Sequence, residues 1–132
     1  MRSRVVTDSS ALVAMLVDAG PAGTWATGAL TGSDLVAPHL VMFETANVLR
    51  RHELAGLISA DQAALGHDDL ADLSIELWPY EPVAARAWEL RRSLSIYDAA
   101  YVAVAEVTGA TLVTLDRRIA GAAGIRCAVS TP

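Results

Sequence analysis

Four acidic residues stand where side chains can do chemistry: Asp8, Glu44, Asp98 and Asp116. Asp8 follows a short β-branched run and Asp116 follows the apolar run of residues 111–115. Open α/β sheets place their ligand chemistry at such strand ends, along one edge. Glu44 sits in a helical segment flanked by Val41, Phe43, Val48 and Leu49, and Asp98 falls in the first turn of an Ala-rich helix. Four carboxylates in one cleft are costly. At an effective dielectric of about 20, two of them roughly 5 Å apart repel by about 3 kcal/mol. Either some stay protonated or hard divalent cations bind, and an all-oxygen ligand set suits Mg2+ or Mn2+.

Each acid also has an ordinary structural explanation. Asp8 can cap the helix that follows it, a task Ser9 or Ser10 can share. Ser95-Ile-Tyr-Asp98 has the form of a capping box, and Asp116 can cap a short helix of its own. A glutamate on a helix is usually solvated, although positions 44, 47 and 51 share one face, so Glu44, Asn47 and Arg51 can point the same way. Strand alternation sends Thr114 to the same side as Asp116.

The elements that must position these residues follow from periodicity and turn chemistry. Strands are expected at residues 4–7, 34–37, 75–78 and 111–115, with a last short strand near the end. Helices are expected at residues 11–17, 24–30, 40–55, 60–73, 83–94, from 95 or 97 to 108, and 117–122. Gly56 and Gly109 supply stops and Ser59 a cap. This alternation predicts a single α/β domain over residues 1–132, with a central parallel sheet of four to five strands and helices on both faces. Asp8 and Asp116 then become neighbours on its carboxyl edge.

Composition narrows the chemistry. All ten basic residues are arginine. A P-loop lacks its phosphate-binding lysine here, and a phosphoaspartyl phosphatase or receiver-like domain built on Asp8 lacks both its lysine and the second acid, Ser10 standing in that place. His39, His52 and His67 are scattered and Cys127 is the single cysteine, which disfavours a zinc site and excludes an intramolecular disulfide. A net charge of −5 argues against a broadly basic nucleic-acid surface. No apolar run is long enough for a bilayer, and Asp8 interrupts any leader-like segment, so a cytoplasmic protein without membrane attachment is expected.

The segments VVTDSSALVA, FETANVLRR and YDAAYVAVAEVTGATLVTLDRR resemble the PIN-domain ribonucleases, and within them the VapC-like toxins of bacterial toxin-antitoxin pairs. The resemblance runs end to end. It implies a PIN-like three-layer α/β/α fold, dependence on Mg2+ or Mn2+, and endonucleolytic cleavage of RNA. Carried over by position, Asp8, Glu44, Asp98 and Asp116 match the acidic site, while Thr114 and Asn47 match its supporting residues. Ser9 is counted with them. The resemblance also implies a cognate antitoxin that blocks the site, a toxin homodimer, and a heterotetramer or larger complex with the antitoxin.

In this reading Asp8 and Asp116 hold the principal ion, and Glu44 and Asp98 complete the site directly or through water, with room for a second ion. A bound ion activates a water and places positive charge on the phosphate oxygens, as phosphodiester hydrolysis requires. Two ions would move the formal charge from −5 to about −1. Arg51, Arg92 and Arg117, with Arg50, Arg91 and Arg118, are candidates for local phosphate contacts. Apolar surface near Trp25 and over residues 54–65 is the expected antitoxin contact. The rival reading is a catalytically inactive PIN-like module that binds RNA or protein, which metal-dependent cleavage would separate from the enzyme.

Overall fold

The computed structural model describes residues 2–132. Five parallel strands form one sheet: β1 (Arg4–Thr7), β2 (Asp34–Pro38), β3 (Ile75–Trp78), β4 (Thr111–Val113) and β5 (Val129–Ser130), in the order β3-β2-β1-β4-β5. β1 is central; its Val5, Val6 and Thr7 are buried, as is Asp8, which follows it. A strand covered on both faces reads as an unbroken apolar run, which is why Val5 and Val6 pair with Leu35 and Val36 on one side and Thr111 and Leu112 on the other.

Strand order locates the site. From β1 the chain steps outward to β2 and β3, then returns across β1 to β4. The reversal lies between β1 and β4, where the strand ends leave a crevice. Thr7 pairs with Val113, so the residues that follow, Asp8 and Thr114, emerge side by side.

Seven helices flank the sheet: α1 (Ser9–Val17), α2 (Pro21–Leu30), α3 (Leu40–Leu54), α4 (Ala60–Asp72), α5 (Ala84–Glu89), α6 (Ile96–Thr108) and α7 (Arg117–Ala120). α1 packs against α2, α3 and α4, whereas α6 packs on α5 and across β1, β2 and β4. Small residues permit the close approaches. A Cβ on Gly23 would stand 1.7 Å from the Asp18 carbonyl oxygen, so α2 can follow α1 this tightly only with glycine there. α6 carries seven consecutive buried residues, Ala99 to Ala105, because it is covered by sheet and helix together. Gly109 ends it in the left-handed region, with φ of 69°.

Several expected boundaries differ: α1 and α2 begin earlier, at Ser9 and Pro21, and α7 ends earlier, at Ala120. The helix expected over residues 83–94 is a 3-10 turn, Glu81–Val83, followed by the short α5, because the chain must reverse before Ser95, whose extended backbone caps α6. β4 stops at Val113, where Thr114 and Leu115 turn toward the Asp116 cap. The last strand is only Val129–Ser130. Among the described residues no helix is long and apolar enough to cross a membrane. Trp25 packs against the core, while Leu54, Leu57 and Leu65 are exposed.

Candidate active site

Asp8 is both a helix cap and a buried acid. Its Oδ1 accepts from the Ala11 backbone N–H at 3.0 Å and from the Ser10 hydroxyl at 2.7 Å, and its Oδ2 accepts from the Thr114 hydroxyl. Capping therefore takes one carboxylate oxygen, and the other faces the crevice beside β4. Only 6% of Asp8 is exposed. Burial pushes its carboxyl above the ordinary range, the three hydrogen bonds oppose that, and Asp116 adds repulsion.

Thr114 is the spacer between the two strand-end acids. Fully buried, it donates to Asp8 and accepts from the Asp116 backbone N–H at 2.9 Å. Ser10, rather than Ser9, takes part: its hydroxyl donates to Asp8 and accepts from the Leu115 N–H at 3.0 Å, tying α1 to the end of β4. Ser9 makes no side-chain hydrogen bond to any of the four acids; it lines a groove of about 570 Å3 that also includes Ser10, Val48, Arg51 and His52.

Glu44 and Asp98 approach from two helices. Glu44 is half-buried on α3, and its Oε1 accepts from the Tyr101 hydroxyl at 2.5 Å. Burial raises its pKa, the Tyr101 bond lowers it, and Asp98 and Asp8 raise it again. Tyr101, held far above its usual range by burial and by Glu44, remains a donor at any physiological pH. Asp98 is half-buried in the first turn of α6, where Ser95 caps its backbone N–H at 3.1 Å. Burial raises its carboxyl most, Asp116 next, while Arg118 lowers it. Tyr101, absent from the residues expected from sequence, is a polar-tipped aromatic one turn after Asp98 on an otherwise apolar helix face, a pattern that marks the residue but not its partner.

Asp116 behaves differently. It caps α7 through the Arg118 N–H, and the Arg118 guanidinium forks onto both its oxygens, Nε to Oδ1 at 3.0 Å and Nη2 to Oδ2 at 2.6 Å. This pairing holds its carboxyl below the usual range. The other arginines lie elsewhere. Arg117 donates to the Pro132 carbonyl at 2.6 Å and so turns away from the acids. Arg92 is exposed in the turn before α6, and Arg51 is exposed in the groove beyond Ser10. Asn47 is exposed one turn after Glu44, with no side-chain hydrogen bond to any of the four acids.

The four acids thus form one electrostatically coupled cluster. As their side chains lie, no three Asp, Glu, His or Cys residues among those described converge closely enough to grip one ion. The reason is local. Asp8 is held by Ser10, Ala11 and Thr114, Glu44 by Tyr101, and Asp116 by Arg118. The donor set itself, four carboxylates whose neighbours are hydroxyls, backbone amides and one guanidinium with no imidazole or thiol bonded to them, fits a hard divalent cation better than zinc or a soft metal.

A family model described as the PIN domain matches residues 5–125. Ribonuclease VapC1 of Mycobacterium tuberculosis is 36% identical over 125 residues, covering 94% of each chain. Among solved structures, PAE2754 from Pyrobaculum aerophilum is similar with a TM-score of 0.62 at 30% identity, covering 96% of this chain and 92% of that one. VapBC-5 from Mycobacterium tuberculosis, a member of the VapBC family of toxin-antitoxin systems, shares the fold at a TM-score of 0.57 and 24% identity, covering 98% of this chain and 97% of that one. With the PIN model spanning nearly the whole sequence and VapC1 matching it almost end to end, the chain belongs to the PIN-domain family as a relative of the VapC ribonucleases.

Proposed function

We propose that the protein is a metal-dependent endoribonuclease acting as the toxin of a toxin-antitoxin pair, hydrolysing RNA phosphodiester bonds at Asp8, Glu44, Asp98 and Asp116. The carrying observation is the electrostatics of that cluster. Asp8, Glu44 and Asp98 are all pushed upward and none is ion-paired among the described residues, which leaves the crevice short of positive charge there. The names of its relatives, ribonucleases and toxin-antitoxin proteins, support RNA as substrate and an antitoxin as partner.

Mg2+ or Mn2+ would be held by Asp8 and Asp116, with Glu44 and Asp98 completing one or two ion sites; when bound, it supplies an activated water and charge neutralisation at the phosphate. The chain's own share is orientation. Three donors hold Asp8, Thr114 links it to the Asp116 backbone, and Tyr101 holds Glu44, so these side chains start from defined positions and must turn from their present partners to close on a cation.

The test is cleavage of a pool of structured cellular RNAs by the purified, antitoxin-free protein with Mg2+, Mn2+ or EDTA, beside Asp8→Asn. Discrete cuts that need metal and vanish in the variant are expected. Equal cleavage by wild type and variant, or none from a folded wild type across the pool, overturns the reading.

A further inference from the structure

Among the described residues, Arg118 alone forms an ion pair with one of the four acids. The pair is a two-pronged fork that engages both Asp116 oxygens, with the Arg118 backbone N–H as a third donor. A guanidinium fork and a divalent cation approach a carboxylate over the same in-plane lone pairs, so the two compete for Asp116. The Arg118 side chain is 84% exposed, and its guanidinium can swing into solvent without opening the core. The backbone N–H stays on Oδ1 when it does, so the cap of α7 survives. Arg117 cannot substitute, because its guanidinium is spent on the Pro132 carbonyl.

We propose that Arg118 is a positioning residue that stands in for the divalent ion at Asp116 and is displaced when the ion binds, so that it sets the ion concentration at which the site fills. This rests on reading the four acids as a metal site. In the metal-free protein the Arg118 fork holds both Asp116 oxygens in one orientation. Once displaced, its charge is released at the mouth of the crevice, where an RNA phosphate arrives. One side chain thereby serves the site in both states.

The measurement is Mn2+ affinity by calorimetry at fixed ionic strength for wild type, Arg118→Gln, Arg118→Lys and Arg117→Gln. Losing the competitor is expected to tighten binding about three- to tenfold in Arg118→Gln, the scale of a well-formed exposed ion pair. Arg118→Lys, a point charge without the fork, is expected between wild type and Arg118→Gln. Arg117→Gln removes the same charge from the adjacent position and is expected to change affinity less than twofold. In wild type, the Arg118 Nε–H resonance, assigned by its loss in Arg118→Gln, is expected to shift as Mg2+ is added. Equal Mn2+ affinity in wild type and Arg118→Gln, equal tightening in Arg117→Gln, or an unmoved Nε–H signal at saturating Mg2+ overturns the proposal while the metal site stands. Absence of Mn2+ binding in every protein overturns the metal site and the proposal together.

Discussion

Two groups of partly buried carboxylates lie on this small domain, and they are compensated in opposite ways. Burial would raise Glu106, but Arg86 binds it at 2.7 and 3.2 Å and the Arg126 N–H at 2.7 Å, so its carboxyl ends below the ordinary range. The same arginine reaches Glu89 at 3.1 Å and the Gly124 carbonyl at 2.6 Å, closing the network within the chain. Around Asp8, by contrast, burial and mutual repulsion prevail and three acids end above that range. Both groups tie distant segments together. The difference teaches that a buried acid with its own cation is architecture, whereas buried acids without one are the candidates for binding a charge from outside.

The contrast is broken most directly at its two centres. Asp8→Asn is expected to lower RNA cleavage on the order of a thousandfold, the loss of several kcal/mol of transition-state stabilisation, while the protein stays folded; circular dichroism beside a cleavage assay checks both halves. Arg86→Met is expected to do the reverse. It strands Glu106 without its partner, destabilising by about 2–3 kcal/mol in urea unfolding, with activity per folded molecule unchanged.

Thr114→Val tests whether the spacer matters. It removes a buried donor to Asp8 and an acceptor for the Asp116 N–H, so about 1–2 kcal/mol of stability and about tenfold of cleavage rate are expected to go together.

The pH response sharpens the comparison further. A carboxyl whose folded pKa is raised holds a proton the unfolded chain has already lost, so its contribution to stability falls as pH rises above the ordinary carboxylate value of about 4. Asp116 and Glu106, lowered in the fold, act oppositely and lose their contribution as pH drops below that value. Thermal unfolding of the metal-free protein is therefore expected to rise by a few degrees, about 3–5 °C, from pH 7 to about pH 5. Asp8→Asn should flatten that slope, and Mg2+ at pH 7 should stabilise wild type more than the variant. The smallest effect is expected at Asn47. Exposed and unbonded to the acids, it should cost less than about threefold in cleavage when changed to Ala, within ordinary surface tolerance.

Much of this was legible in the sequence because local signals agreed. Four to five short strands alternating with helices pointed to a parallel sheet, and acids at strand ends pointed to a shared edge. Asp8 and Asp116 do cap α1 and α7, so one carboxylate serves a helix and the crevice at once, whereas the expected capping box at Asp98 forms only on its Ser95 side. What stayed hidden was which hydroxyl and which arginine take part. Ser9 and Ser10 are equivalent in a list, and only the close passage of α1 past Leu115 selects Ser10. Arg117 and Arg118 are likewise adjacent, and the turn into α7 sends them opposite ways. The Tyr101–Glu44 bond joins residues 57 positions apart, which no local pattern reveals.

The bond from Thr114 to Asp8 spans 106 positions of sequence. During synthesis, Asp8, Glu44 and Asp98 all leave the ribosome before Asp116 does, and β4 must slide in beside β1 before the first and last acids meet. Distant pairings of this kind close late. A half-made chain therefore carries most of the carboxylates yet cannot assemble the cluster until that final pairing is made.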